Sequence, residues 1–190
     1  MHNLKTNFDK MLDLCKQFGK EFTNKRGNIP RRGVVSCFSD LEVIALSLTA
    51  EALSIDSENL LFVKLSTDYK ADYPHLISRR QYNDRRKYVF NLTDSIRLDF
   101  FETAHIRLEV PYRNNQKDFK PRFKPFRKLR KRVETVFSQL DDQFLLLRNY
   151  AKDVTGIFTR VLAKIASMTA LQYLYKINDR PIGRVRYALC

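Results

Sequence analysis

Apolar residues recur every three or four positions in several separate stretches of this chain, which is the spacing of amphipathic helices. The clearest stretch is 127–149, where an apolar stripe lies opposite a face that begins strongly basic. The stripe consists of Leu129, Val133, Val136, Phe137, Leu140, Phe144 and Leu147. A second long helix is predicted from an N-cap at Asp153 to about Asn178. The short link between the two helices predicts that they pack antiparallel on each other.

Helix-start signals divide the N-terminal half of the chain. A first helix is predicted over residues 3–22 from its apolar stripe. Ser39–Glu42 and Ser78–Gln81 are capping boxes, each with Glu or Gln three residues after the N-cap Ser. Asp56–Glu58 predicts one further helix start, and the helical pattern continues over residues 91–104. The fold class predicted from these signals is mainly α.

One stretch has the spacing of a strand instead. Residues 105–111, HIRLEVP, alternate apolar and polar side chains, which is the period of a half-buried strand. We expect strand content to be limited to this region and at most one partner.

The charge of the chain points to an anionic partner. With 35 Lys and Arg against 21 Asp and Glu, the 190-residue chain has a formal net charge of +14. Nucleic acid is the leading candidate, ahead of an anionic membrane surface. No apolar run approaches the length of about 20 residues that a membrane span needs, and the N-terminus lacks an apolar signal core. We therefore expect a cytoplasmic protein without a membrane partner. Cys15, Cys37 and Cys190 are widely spaced and odd in number, so neither a disulfide framework nor a zinc site is indicated.

The helix that begins after Ser78 is strongly basic. Two short predicted helices precede it, an arrangement similar to a helix-turn-helix. Arginine and asparagine suit contacts to phosphates and base edges, although a basic face that is merely solvated remains the alternative. The candidate DNA-binding residues of this helix are Arg79, Arg80, Asn83, Arg85, Arg86 and Lys87.

A second basic segment, residues 112–132, has ten Lys and Arg against one acid, Asp118. Pro121 and Pro125 keep its first part extended, and interleaved aromatic residues could stack on exposed bases while the cations follow the phosphates. The alternative is a basic arm that binds polyanions without selectivity. The candidates are Lys117, Lys120, Arg122, Lys124, Arg127, Lys128, Arg130 and Lys131.

Glu134 follows Arg130 by one helical turn. The spacing is that of an exposed i,i+4 ion pair, and equally that of a metal-binding acid beside phosphate-binding cations.

Several blocks of the chain resemble DDE-type transposases of bacterial insertion sequences, and most closely the insertion-sequence family numbered nine hundred and eighty-two. The C-terminal blocks are RKRVETVFSQLDDQF, RNYAKDVTGIFTRVLAKIASMTALQYLYKIND and PIGRVRYAL, and the N-terminal ones are IDSENLLFVKL and DYPHLISRRQYNDRRK. The resemblance implies a ribonuclease-H-like core in which three acids hold Mg²⁺ to cut and join DNA at element ends. Glu134 would be the third acid and a metal ligand.

The chain departs from the family in its middle. It has no room for the strands that carry the first two acids, so we expect an internal deletion with its junction near Arg97–Asp99. The division implied is 1–97, a helical DNA-binding region, and 98–190, a remnant of the catalytic core with one strand and two long helices. Mg²⁺ would not be bound productively, so we expect a catalytically inactive remnant. The alternatives are a stand-alone DNA-binding protein that inhibits or regulates transposition, and an unspecific polyanion binder; a homo-oligomer is compatible with each.

Overall fold

In the computed structural model, residues 3–103, 126–148, 151–181 and 183 are described, and these segments contain seven helices and no strand. The prediction of a mainly α protein is confirmed for them. The helices are α1 (Leu4–Gly19), α2 (Asp40–Ala52), α3 (Glu58–Thr67), α4 (Arg79–Tyr88), α5 (Phe90–Thr103), α6 (Phe126–Asp142) and α7 (Val154–Ile177). The predicted strand at 105–111 lies outside the described residues.

The predicted helix starts are confirmed by their caps. Ser39 and Ser78 each form a complete capping box, the first with Glu42 and the second with Gln81. Ser57 caps α3, and the Asp153 side chain accepts a hydrogen bond from the backbone N–H of Gly156 at the start of α7. These starts were predictable because a cap needs only residues within one turn of each other.

α2 is the centre of the fold and is buried nearly all round. Its apolar residues point in every direction, which is typical of an interior helix rather than an amphipathic one. α1, α4 and α7 pack against it, and α5 packs against α1 and α7. Small residues of α7 let it approach closely: Ser167 is fully buried and its Oγ donates a 2.9 Å hydrogen bond to the carbonyl oxygen of Leu48. The resulting core joins helices from both halves of the chain.

α7 corrects one expectation about hydropathy. By length and composition it is apolar enough to cross a membrane, but half of its most apolar window is buried inside the fold. Arg160 and Lys164 interrupt its apolar run, so the sequence has no uninterrupted apolar stretch of that length here. The burial is that of a core helix.

The predicted packing of α6 on α7 is confirmed only in part: the two helices are in contact, but the described apolar stripe of α6 is not covered along its length. Val133 and Phe137 are 54% and 58% exposed, and only the end of the stripe, at Leu140 and Phe144, is buried. The contact with α7 continues just beyond the C-terminal end of α6, where Lys164 Nζ of α7 donates to the carbonyl oxygen of Phe144.

Two further features bear on the predicted organisation. Residues 68–78 separate α3 from α4, a connection much longer than the turn of about three or four residues in a helix-turn-helix. The predicted domain boundary at residue 97 falls inside α5, which is continuous from Phe90 to Thr103. The division into a DNA-binding region and a ribonuclease-H-like remnant stays a prediction.

Candidate nucleic-acid interface

The N-terminal half of α4 presents polar side chains to solvent. Arg79, Arg80 and Asn83 are all exposed. The start of the helix is fixed by reciprocal hydrogen bonds of the capping box, from Ser78 N to Gln81 Oε1 (3.0 Å) and from Gln81 N to Ser78 Oγ (3.3 Å). Three of the predicted DNA-binding residues therefore lie together on a helix end with a defined position.

Arg85 has a different role from the predicted one. Its side chain is only 14% exposed, and its guanidinium donates to the carbonyl oxygen of Phe38, to Ser36 Oγ and to the buried carboxylate of Asp40. These bonds tie α4 to the start of α2. Because both terminal nitrogens of its guanidinium are bonded inside the fold, Arg85 holds α4 to the start of α2 and is not offered to DNA.

Arg86 is likewise engaged within the fold, at 7% exposure. Its guanidinium lies 3.1 Å from Glu58 and 3.8 Å from Glu51, and stands over the ring of Tyr82 with its central carbon 5.5 Å from the centroid. Burial would lower the pKa of Arg86, but its interactions with Tyr82 and the two acids raise it above the ordinary value. Burial raises the pKa of Tyr82 to about 12. Arg86 is a buried structural cation and not a DNA contact.

Lys87 joins α4 to the start of α7. Its Nζ lies 2.8 Å from Asp153 Oδ2, and both side chains are partly exposed. The hydrogen bond from Lys87, followed by that from the Gly156 N–H, lowers the pKa of Asp153. Asp153 therefore stays ionised down to lower pH than an isolated aspartate, and Lys87 is only partly available to an anion.

A cleft of about 390 Å³ lies between α4 and the first turns of α7. Its two acids are already paired, Glu58 with Arg86 and Arg160, and Asp153 with Lys87. Sequence patterns did not single out Lys152 or Arg160, since both come from a distant part of the chain. The charged and amide lining residues are Arg79, Asn83, Arg86, Lys87, Lys152, Arg160, Glu58 and Asp153. Cations exceed acids, so the cleft continues the basic surface of α4.

The second basic segment is described only in part. Lys117, Lys120, Arg122 and Lys124 lie outside the described residues. Arg127, Lys128, Arg130 and Lys131 lie on the backbone of α6, but their side chains are outside the described part of the structure. Their assignment to DNA binding stays a prediction.

Glu134, the candidate catalytic acid and metal ligand, is exposed on α6. Among the described residues, no group of three or more His, Cys, Asp or Glu side chains is placed to hold a metal ion. Asp142, further along α6, accepts a 3.0 Å hydrogen bond from Ser138, and on α5 Asp94 pairs with Arg97. The described residues do not fit the Mg²⁺ site that the family resemblance implies, because a two-metal site needs several convergent carboxylates.

Comparison of the chain with protein-family models, with curated proteins and with solved structures found no match. Assignment of a function therefore depends on the residues themselves and on their geometry.

Proposed function

We propose that this chain binds DNA through the exposed N-terminal part of α4, and that it derives from an insertion-sequence transposase that lacks a complete set of catalytic acids. The observation that carries the proposal is the grouping of Arg79, Arg80 and Asn83 on one exposed helix end, beside a cleft lined by further cations.

The buried side of α4 supports the proposal by holding this surface rigid. Tyr82 is 1% exposed and packs against Phe62 of α3, while Arg85 and Arg86 bind acids of other helices. A backbone fixed on one side presents its exposed side chains in a defined arrangement, which reduces the entropy lost on binding.

The residue types suit DNA. Arginine donates two parallel hydrogen bonds to phosphate oxygens or to a guanine edge, and asparagine can donate and accept at an adenine edge. Lys152 and the partly available Lys87 of the cleft provide phosphate contacts, which position a protein without reading sequence. The net charge of +14 favours association with a polyanion over the whole surface.

The transposase origin is supported by the sequence blocks quoted above and by the Arg130–Glu134 spacing. In this proposal the ability to bind DNA survives and catalysis does not, so the chain would occupy element ends without cutting them. That behaviour would also make it an inhibitor or regulator of transposition, the second candidate function.

Selection from a random duplex pool, followed by salt titration of the enriched and the unselected DNA, tests the proposal. Both affinities should fall steeply as the salt concentration rises. Each neutralised phosphate adds about 0.9 to the steepness of a plot of log binding constant against log salt concentration. Replacing Arg79, Arg80 and Asn83 together by Ala should abolish enrichment of particular sequences.

The matched control replaces Asn59, Lys64 and Lys70 by Ala, which removes the same charge and one amide from exposed positions outside the cleft. This control should keep the enrichment. Salt-independent binding, or no binding by the unaltered protein, would refute DNA binding. Equal loss of enrichment in both triple variants would show that the exposed residues of α4 do not form the DNA interface.

A further inference from the structure

A second and larger cleft, with no lining residue from α4, lies between the last turns of α1, the loop that follows it and the first turn of α2. Its volume is about 650 Å³. Four cations line it, Lys16 and Lys20 from the end of α1 and Lys25 and Arg26 from the loop. All four side chains are exposed, so they are open to a ligand.

The charge of this cleft is largely uncompensated. Within the described residues, none of the four cations forms an ion pair. Glu42 is the single acid of the lining, and its carboxylate accepts a 2.6 Å hydrogen bond from the Ser39 N–H in the capping box. Four like charges gathered on a concave surface repel one another, and an anion between them relieves that repulsion.

The loop that presents Lys25 and Arg26 is held in place by hydrogen bonds. Asn24 Oδ1 accepts from the N–H groups of Arg26 (2.9 Å) and Asn28 (3.1 Å). The carbonyl oxygen of Gly27 accepts from the Leu41 N–H at 3.0 Å, which ties the loop to the start of α2.

Gly27 is required at this point for two reasons. Its φ of +76° is a conformation that side chains other than glycine rarely adopt, and a Cβ there would come within 3.3 Å of Leu41 and of Ser39. The two cations of the loop therefore stand at fixed positions over the cleft instead of on a mobile arm.

The start of α2 contributes little to the positive electrostatic potential of the cleft. Asp40 and Glu42 already occupy its first turn and offset the positive end of the helix dipole. The attraction for an anion comes from the four side chains.

We infer that this cleft binds the sugar–phosphate backbone of DNA, as a contact additional to the α4 surface. The inference rests on the proposed DNA-binding function and deepens it. The lining places three lysines and one arginine around a space larger than a single phosphate group, so that consecutive phosphates can each meet a cation. A concave surface suits a chain of phosphates better than a flat membrane. Contacts of this kind strengthen binding to every sequence alike.

The test compares the double variant Lys25→Ala/Arg26→Ala with the control Lys64→Ala/Lys70→Ala on a random-sequence duplex. Both variants lose two exposed cations, but only the first loses them from the cleft. Between about 50 and about 200 mM salt, the logarithm of the binding constant is plotted against the logarithm of the salt concentration. The steepness of this plot should fall by about 1.8 in the cleft variant and by much less in the control. Sequence enrichment from a random pool should be unchanged in both.

A second measurement reads the cleft directly in the unaltered protein. Bound DNA should protect Lys16, Lys20 and Lys25 from acetylation, detected by mass spectrometry, and leave Lys64 and Lys70 reactive. Circular dichroism of both double variants checks that the helices are intact.

The outcomes separate the two proposals. If the unaltered protein binds DNA but the cleft variant behaves like the control and the three lysines stay reactive, the cleft inference is overturned and the DNA-binding function stands. If the unaltered protein does not bind DNA, both fail. If the cleft variant loses only its retention on phosphatidylglycerol vesicles, the cleft is a lipid site and the inference is wrong.

Discussion

Lys164 lies in the middle of α7 with a side chain that is only 3% exposed, where a lone charge would be costly. Its Nζ lies 2.6 Å from Glu51 Oε2 on α2 and also donates to the carbonyl oxygen of Phe144. One buried ammonium group thus joins α2, α7 and the segment that follows α6. The pair fixes their relative positions, because any shift would leave a charge without a partner.

Replacing one member of this pair should cost much more stability than replacing both. Lys164→Met leaves Glu51 with only Arg86 at 3.8 Å, and we expect the free energy of unfolding to fall by about 3 kcal/mol. The double variant Lys164→Met/Glu51→Gln should lose less free energy of unfolding than Lys164→Met alone, because it leaves no unpaired charge. Urea unfolding followed by circular dichroism measures the free energy of unfolding of Lys164→Met, of Glu51→Gln and of the double variant.

Lys5→Met is the matched control for this cycle. Lys5 pairs with Asp9 on α1, but the two side chains are 30% and 50% exposed, so the loss should stay below about 1 kcal/mol. Equal losses for Lys5→Met and Lys164→Met would show that burial does not strengthen the pair with Glu51.

At the scale of the element, the arginines of α4 lie in two different environments. Arg79 and Arg80 are exposed, whereas Arg85 and Arg86, less than two turns further on, are turned into the fold. Tyr82 lies on the same buried side, at 1% exposure. A helix that is basic in sequence on all sides therefore has one face packed in the fold and one face open to solvent.

This division predicts opposite results for two similar substitutions. Arg86→Met removes one of the two ion-pair partners of Glu58 and weakens the link between α3 and α4, so the free energy of unfolding should fall by about 2 kcal/mol or more. Arg79→Met should change it by no more than about 0.5 kcal/mol, as expected for an exposed position. Urea unfolding of both variants tests this, and a larger loss for Arg79→Met would contradict the assignment.

The sequence predicted some of these elements better than others, for a physical reason. Helix starts at Ser39, Ser57, Ser78 and Asp153 depend on hydrogen bonds within one turn, so they can be recognised in the chain itself. The inward turn of Arg85 depends on Asp40, forty-five residues away in sequence, and no local pattern indicates it.

The extent of α6 packing and the second cleft could not be predicted for the same reason. α6 does contact α7, but α7 packs mainly on α2 and α5, so most of the described apolar stripe of α6 stays exposed. The cations at Lys16 and Lys20 belong to a helix and those at Lys25 and Arg26 to a loop, and only folding brings them around one space.

At the scale of the whole molecule, the described helices form one core to which both ends of the chain contribute. α2 comes from the N-terminal half and α7 from the C-terminal part, yet they share a buried ion pair and a buried hydrogen bond from Ser167 to Leu48. Under the proposed origin by internal deletion, such a shared core would keep the chain folded with its basic surface in place. Whether it also self-associates stays a prediction.

The last prediction concerns DNA cleavage by the whole chain. Two-metal phosphodiester cleavage needs carboxylates from separate elements to hold two ions about 4 Å apart. Glu134 is an exposed side chain on α6, and a Mg²⁺ ion with so few protein ligands stays mostly hydrated and poorly placed. We therefore expect the purified chain neither to nick nor to join supercoiled or element-end DNA with Mg²⁺ or Mn²⁺, under salt conditions in which it binds.

Glu134→Ala should leave this result unchanged and should alter the free energy of unfolding by no more than about 0.5 kcal/mol. Asp142→Ala, on the same helix, is the matched control for removing a carboxylate. Metal-dependent nicking that disappears in Glu134→Ala but persists in Asp142→Ala would show that other acids complete a site around Glu134, and that the chain is an active nuclease.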